Sequence, residues 1–115
     1  MIAAQRIKKY VAELVREFSP ERVVMFGSHA SGKPQADSDV DLLVVMKHHG
    51  AAAEQAARIR RRIRAGFPLD IIVRSPAALQ RRAAMGDNFI CEILEKGRVL
   101  HESDELEGLD EIIGD

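Results

Sequence analysis

Apolar residues recur along the chain at two spacings, one typical of helices and one typical of strands. Over residues 3–18 they return every three or four positions, which predicts an amphipathic helix that Ser19-Pro20 ends. A second helix is predicted by the same spacing further along, at Ala52, Ala56, Ile59 and Ile63. Pro76 is a favourable first residue for a third helix, and Asp87 for a fourth that runs to Gly97.

Three shorter runs are rich in β-branched residues and predict strands, at residues 22–26, 39–46 and 69–73. The first two are joined by a segment too rich in Gly and Pro for a long helix, so the chain is expected to return to the sheet almost at once. The second predicted helix then acts as a crossover to the third strand. The predicted fold is α+β, a small mixed sheet with the order β-turn-β-α-β, backed by helices.

Two acidic residues flank the start of the second strand. Side chains alternate between the faces of a strand, so Asp39 and Asp41 are expected on the same side. Their Cα atoms would lie about 7 Å apart, which lets both carboxylates reach a pair of metal ions spaced at about 3.5–4 Å. Adjacent carboxylates repel unless a cation lies between them, so the pair predicts a divalent metal site.

The first strand leads directly into Gly27-Ser28. A glycine lets the backbone approach a phosphate, and the serine hydroxyl and neighbouring N–H groups can donate to its oxygens. Asp70 lies inside the apolar third strand, where an unpaired charge is costly, and we interpret it as a third metal ligand. We therefore expect the bend to face three carboxylates.

Two other motifs overlap these residues and do not fit. Gly27–Lys33 matches the first seven positions of a P-loop, but the eighth is Pro34, which has no hydroxyl for magnesium. Asp37–Asp41 imitates the start of a calcium-binding loop, but Leu42 occupies the glycine position and His48 the closing glutamate position. Both alternatives are rejected.

The spacing and context of these motifs resemble the minimal nucleotidyltransferases of the DNA polymerase beta-like superfamily, over roughly residues 1–101. The resemblance rests on residues 23–28, the ten-residue spacer, residues 39–45 and the later Leu69-Asp70-Ile71-Ile72. It implies an enzyme that binds a nucleoside triphosphate, ATP as donor, with two magnesium ions and directs an acceptor hydroxyl at the α-phosphorus. The implied roles are phosphate binding by Gly27 and Ser28, and metal binding and catalysis by Asp39, Asp41 and Asp70.

The chain departs from the commonest family pattern just after the bend. Arginines are frequent there, whereas this sequence has His29 and Ser31. Neither replacement can make the bidentate phosphate contacts of a guanidinium. Lys33 is the candidate to compensate, with a solvated turn lysine as the alternative interpretation. His29 is either a phosphate contact or a polar turn residue.

Charge is divided unevenly along the chain. Residues 1–101 hold 17 basic and 11 acidic residues, a net +6, while residues 102–115 hold seven acidic residues and no Lys or Arg. We therefore predict a nucleotidyltransferase domain over 1–101 and an acidic tail over 102–115, either solvated or a short helix that binds a partner. Five arginines at positions 58–64 make a basic face on the second helix, which is either solvated or docks an acidic partner surface or RNA.

Composition limits the class of protein further. No run of apolar residues is long enough for a membrane span, and a cytoplasmic location is the expectation. The single Cys91 is predicted to be a small buried residue. With four Phe, one Tyr and no Trp, a platform for stacking nucleic-acid bases is not expected.

Once the predicted sheet and helices are built, few residues remain for an acceptor pocket. We expect a partner to supply it, and the resemblance implies a helical HEPN ribonuclease toxin, for which this chain would be the antitoxin. The leading hypothesis is transfer of AMP from ATP to a hydroxyl of that toxin. Two alternatives remain open: a non-catalytic antitoxin that inhibits by binding, and an enzyme for small molecules completed by a homodimer.

Overall fold

The computed structural model describes residues 2–33 and 38–103. Helices and strands alternate, with two consecutive helices before the last strand. In chain order they are α1 (Ala4–Phe18), β1 (Arg22–Phe26), α2 (Ser28–Ser31), β2 (Val40–Val45), α3 (Ala52–Arg62), β3 (Leu69–Arg74), α4 (Pro76–Ala84), α5 (Asn88–Lys96) and β4 (Arg98–Glu102).

The strands form one mixed sheet in the order β3-β2-β1-β4. β1 is antiparallel to both of its neighbours, whereas β2 and β3 are parallel because α3 returns the chain to the same end of the sheet. The predicted α+β class and the β-turn-β-α-β order are confirmed. β4 was missed: it is an edge strand whose residues are at most half-buried, so its sequence lacks the apolar run that marked the other three.

The two faces of the sheet carry separate apolar cores. Alternate residues of β1 and β2, such as Val23 and Val44, pack against α1 and α3. The intervening residues, such as Val24 and Leu43, pack against α4 and α5. Asp41 lies two residues before Leu43, so its side chain belongs to the face covered by α4 and α5.

The predicted helix starts at Pro76 and Asp87 are confirmed. Ser75 caps α4 by accepting a hydrogen bond from the Ala78 amide at 3.1 Å, and Pro76 is the first helical residue. Asp87 caps α5 by accepting hydrogen bonds from the amides of Phe89 and Ile90 at 3.0 and 3.2 Å. These caps fix the helices that cover the acidic face of the sheet.

Three further predictions concern the surface. Cys91 is half-buried rather than fully buried, with its Sγ 3.7 Å from the Ala83 carbonyl oxygen. Within the part of the chain that the structure describes, no helix is both long and apolar enough to cross a membrane. β4 extends to Glu102, and the rest of the predicted acidic tail, from residue 104 onward, lies outside the described residues.

Candidate active site

The three predicted acids meet at one end of the sheet. β2 and β3 run parallel in a register that pairs Asp41 with Asp70, so the two side chains lie on the same face with Cα atoms about 4.8 Å apart. Asp39 lies two residues before Asp41, just outside β2, and is exposed like Asp70. The parallel pairing therefore brings together residues almost thirty positions apart in the sequence.

Asp41 is the central acid of this group. Burial raises the pKa of its carboxyl above the usual 3.8, and the negative charges of Asp70 and then Asp39 raise it further, while nearby His29 partly opposes the shift. A carboxylate held against two others is a site that gains from a bound cation. The charges of Asp39 and Asp70 therefore act directly on the Asp41 carboxyl.

Gly27 brings the bend directly against Asp41. Its backbone has a φ of +77°, and a Cβ added there would overlap the Oδ2 atom of Asp41. The positive φ favours glycine at this position, and any side chain there would push the Asp41 carboxylate away from the bend. The predicted proximity of bend and carboxylate is therefore built into the backbone at Gly27.

The bend opens a single turn of helix, α2. Its Gly27 carbonyl accepts hydrogen bonds from the amides of Ala30 and Ser31, both at 3.1 Å. The amides of Ser28 and His29, in the first turn, have no partner within the helix and are the groups that this bend can offer to an anion. The Ser31 hydroxyl donates to the Ser28 carbonyl at 2.9 Å and so stabilises the helix.

A cavity of about 620 Å³ lies next to Gly27, between α2 and α5. Its lining residues are Phe26, Gly27, Ala30, Ser31, Phe89, Glu92, Ile93, Lys96 and Gly97. None of the three acids lines it, but Gly27 and Phe26, which pairs with Asp41 in the sheet, border both the cavity and Asp41. Phe26 and Phe89 meet edge to face with ring centroids 5.7 Å apart and close one wall.

The two lysines near the site differ in position. Lys33 is exposed at the end of α2 and is not among the residues that line the cavity. Lys96 lines it from the last turn of α5, 3.8 Å from Glu92 in a largely exposed ion pair that is weak and easily exchanged. Lys96 was missed by the sequence analysis, although its spacing of seven residues from Phe89 indicates that the two share a helix face.

His29 occupies an unexpected environment. Its side chain is 8% exposed, and both ring nitrogens have backbone neighbours. Nδ1 is 3.1 Å from the Asp39 carbonyl oxygen, and Nε2 is 3.4 Å from the Ile2 amide. His29 is therefore buried in the fold behind the bend, rather than a surface turn residue.

The three acids have the chemistry of a divalent metal site, but their side chains are not yet arranged around an ion. Carboxylate oxygens are the preferred ligands of Mg²⁺, and the mutual repulsion at Asp41 is what such an ion relieves. Over the described residues, however, no three His, Cys, Asp or Glu side chains are already grouped closely enough to hold an ion. Asp39 and Asp70 are exposed, so their carboxylates are accessible to an ion that enters from solvent.

No curated protein matches the chain. Several solved structures share its fold. A candidate nucleotidyltransferase from Sulfolobus solfataricus is 30% identical with a TM-score of 0.54, over 67% of this chain and 70% of that one. A toxin–antitoxin complex with AMP-PNP is 18% identical with a TM-score of 0.54, over 89% and 78% of the two chains.

A further likeness in fold is to a mutant of the toxin–antitoxin complex MntA–HepT, at 15% identity and a TM-score of 0.53, over 89% of this chain and 78% of that one. The model of the nucleotidyltransferase domain family matches residues 5–103, which span every helix and strand of the structure except the first residue of α1. The resemblance drawn from the Gly-Ser bend and the paired aspartates is confirmed. This chain belongs to the nucleotidyltransferase domain family.

Proposed function

We propose that this protein transfers AMP from ATP to a hydroxyl group of a cognate HEPN ribonuclease toxin and thereby neutralises it. The observation that carries the proposal is the meeting of Asp41, Asp70 and Asp39 beside Gly27. An acid cluster next to a bend with outward amides suits one reaction class, the attack of a hydroxyl on a metal-bound triphosphate.

The donor and the partner are supported by structures of the same fold. One is a toxin–antitoxin complex with AMP-PNP, an analogue of ATP, and another is a mutant of the toxin–antitoxin complex MntA–HepT. Both share only the fold with this chain, so the extension to this protein is our inference. It agrees with a cavity of about 620 Å³ that can take one nucleotide beside the bend.

Asp39, Asp41 and Asp70 would hold two magnesium ions, which supply charge neutralisation for the triphosphate and the leaving pyrophosphate. Ser28 and the first-turn amides of α2 would bind the phosphate oxygens, and Lys96 would add a positive charge from α5. Asp70, exposed at the edge of the group, would orient the acceptor hydroxyl. A new bond forms between the hydroxyl oxygen and the α-phosphorus, pyrophosphate leaves, and the hydroxyl proton is released.

The experiment combines the purified protein with its toxin, magnesium and ATP labelled at the α-phosphate. We expect label on the toxin, and we expect Asp41→Asn and Asp70→Asn each to reduce transfer by at least about a hundredfold, since each removes a charge on which metal binding depends. Glu95→Gln, the same chemical change on an exposed residue of α5, is the matched control and should transfer normally.

The outcomes separate the alternatives. Label on the toxin that survives Asp41→Asn would contradict the proposed active site. Turnover of a hydroxylated small molecule without any toxin would favour the enzyme completed by a homodimer. Neutralisation of the toxin without transfer of label would favour the binding antitoxin.

One feature favours that binding antitoxin as a second candidate function. Arg60, Arg61 and Arg64, with Ala57, line an open groove of about 520 Å³ on the α3 side of the molecule. All three arginines are exposed, and this face of the sheet is the one opposite the acids. Such a surface suits an acidic partner and is independent of nucleotide binding.

A further inference from the structure

We propose that His29 is a positioning residue that holds the backbone at Asp39 in the form that binds metal. The inference rests on the proposed function, because it assumes that Asp39 is a metal ligand. His29 is buried beside the acids and has no role in the transfer step proposed above.

A carbonyl oxygen only accepts hydrogen bonds, so the 3.1 Å contact with the Asp39 carbonyl requires a hydrogen on Nδ1 of His29. The Ile2 amide nitrogen lies on the other side of the ring, at a longer 3.4 Å from Nε2. The donation from Nδ1 to Asp39 is therefore the stronger of the two ring contacts.

The Nδ1 contact restrains the peptide group that joins Asp39 to Val40, the first residue of β2. The amide of that peptide group donates to the Pro68 carbonyl at 3.0 Å, and its carbonyl accepts from His29 at 3.1 Å. The Asp39 side chain is exposed. His29 is 8% exposed and anchored in α2, so it ties the Asp39 carbonyl to the bend.

The contact between His29 and Asp39 affects the relative positions of the proposed metal ligands. The same short helix that presents the Ser28 amide thereby also sets the backbone from which the Asp39 carboxylate extends. A shift of that backbone would move one ligand relative to Asp41 and Asp70, which β2 and β3 hold in register. Partners of this kind behind a metal ligand are commonly worth about 10–100-fold in metal affinity or activity.

The test uses three substitutions that divide the two contacts of the ring. His29→Ala removes both. His29→Asn keeps an N–H donor near the position of Nδ1, and His29→Gln carries its polar atoms near the position of Nε2. We measure Mn²⁺ binding by calorimetry in the absence of nucleotide, the midpoint of thermal unfolding, and transfer of label to the toxin.

We expect His29→Ala and His29→Gln to weaken Mn²⁺ binding about tenfold or more, and His29→Asn to restore most of it, whatever the order of their thermal stabilities. Equal Mn²⁺ affinity in the wild type and His29→Ala would overturn the inference. So would losses that follow thermal stability alone, with no rescue by asparagine.

The metal measurement also separates this inference from the proposed function. If the wild type binds Mn²⁺ and the asparagine rescue appears, but no label reaches the toxin, the positioning role stands and the proposed acceptor is wrong. If the wild type does not bind Mn²⁺ at all, the positioning role is overturned because Asp39 has no ligand function to support.

Discussion

At the scale of single residues, the site depends on close contacts that allow little substitution. A side chain at Gly27 would displace the Asp41 carboxylate, and Gly27 also borders the cavity beside α5. The carboxylates and the cavity therefore meet at this glycine. Charged residues that line the cavity and charged residues outside it should affect nucleotide binding differently.

The two lysines test where the triphosphate lies. We expect Lys96→Ala to raise the KM for ATP about tenfold with a smaller effect on kcat, because Lys96 lines the cavity and would contact phosphate oxygens. Lys33→Ala, its matched control, should change the KM less than twofold, because Lys33 is exposed and does not line the cavity. Steady-state transfer kinetics give both values, and the reverse order would assign the phosphate contact to Lys33.

The ionised Asp41 carboxylate should lower the stability of the folded protein, although transfer requires it. Its pKa is raised in the folded state, so its charged form is disfavoured there, and its contribution to stability falls as the pH rises above the unfolded value of 3.8. Asp41→Asn should therefore raise the unfolding midpoint by a few degrees at pH 7 without magnesium, while abolishing transfer.

The gain in stability from Asp41→Asn should disappear in acid, because the wild-type carboxyl is then protonated in both states. Thermal unfolding at a series of pH values checks this. A variant that is less stable than the wild type at pH 7 would contradict the picture of three repelling carboxylates.

At the scale of secondary structure, α5 and its two ends decide how the cavity is closed. Asp87 caps the start of the helix, and Gly97 ends it in close approach to Val24 and Met25 of β1. Phe89, Ile93 and Lys96 reach the cavity from the same helix. Substitutions at either end of α5 should therefore change both the stability of the protein and the shape of the cavity.

Asp87→Ala should destabilise the protein at neutral pH, because α5 loses its N-cap. The Ile90 amide, followed by the ion pair with Arg82, lowers the pKa of Asp87 below 3.8 in the folded state. Its charged form therefore contributes stability above pH 3.8, and this contribution is lost as the pH falls through the lowered pKa.

The unfolding midpoint of the wild type should exceed that of Asp87→Ala, and this difference should become smaller below pH 3.8. Asp87→Asn is the matched control, since asparagine is also a good N-cap but carries no charge. If the difference in unfolding midpoint between the wild type and Asp87→Ala does not change with pH, the hydrogen bonds of the cap stabilise α5 and the charge of Asp87 does not.

Gly97→Ala should cost about 1–3 kcal/mol of unfolding free energy, the usual cost of overpacking. An added Cβ would lie 2.5 Å from the Ile93 carbonyl oxygen and 2.6 Å from Cγ1 of Val24. The φ of Gly97 is −71°, which any residue adopts, so space and not conformation is the constraint. Urea unfolding gives the value, and unchanged stability would mean that the α5–β4 junction can move away from β1.

At the scale of the whole molecule, the sheet separates two surfaces with different chemistry. The acids, the bend and the cavity belong to the face under α4 and α5, while the arginines of α3 lie over the other face. A catalytic antitoxin would depend on the first surface and a binding antitoxin on the second. The two modes can therefore be tested in one molecule.

Reversal of the three arginine charges, Arg60→Glu with Arg61→Glu and Arg64→Glu, should leave neutralisation of the toxin intact, because the proposed transfer occurs on the opposite face. Asp41→Asn should abolish it. Rescue of growth in cells that express the toxin measures both, with protein levels checked by immunoblot. The opposite pattern would support the binding antitoxin and contradict the catalytic one.

Much of the fold was predictable because helical and strand spacings are properties of consecutive residues. Seven features were confirmed in this way: α1, the first three strands, α3, and the starts of α4 and α5. β4 was not, because an edge strand is solvated on more of its surface and its side chains need not be apolar. Its position beside β1 depends on pairing with residues far away in the sequence.

The sequence by itself determined the chemistry of this protein: a glycine-serine bend, two aspartates on alternate positions of a strand and a third on a later strand, all of them local patterns. Only the tertiary structure decided that Asp70 pairs with Asp41, that His29 is buried against Asp39, and that Lys96 rather than Lys33 lines the cavity. These are contacts between segments distant along the chain. Strand register and helix packing set them, and neither is encoded in the spacing of neighbouring residues.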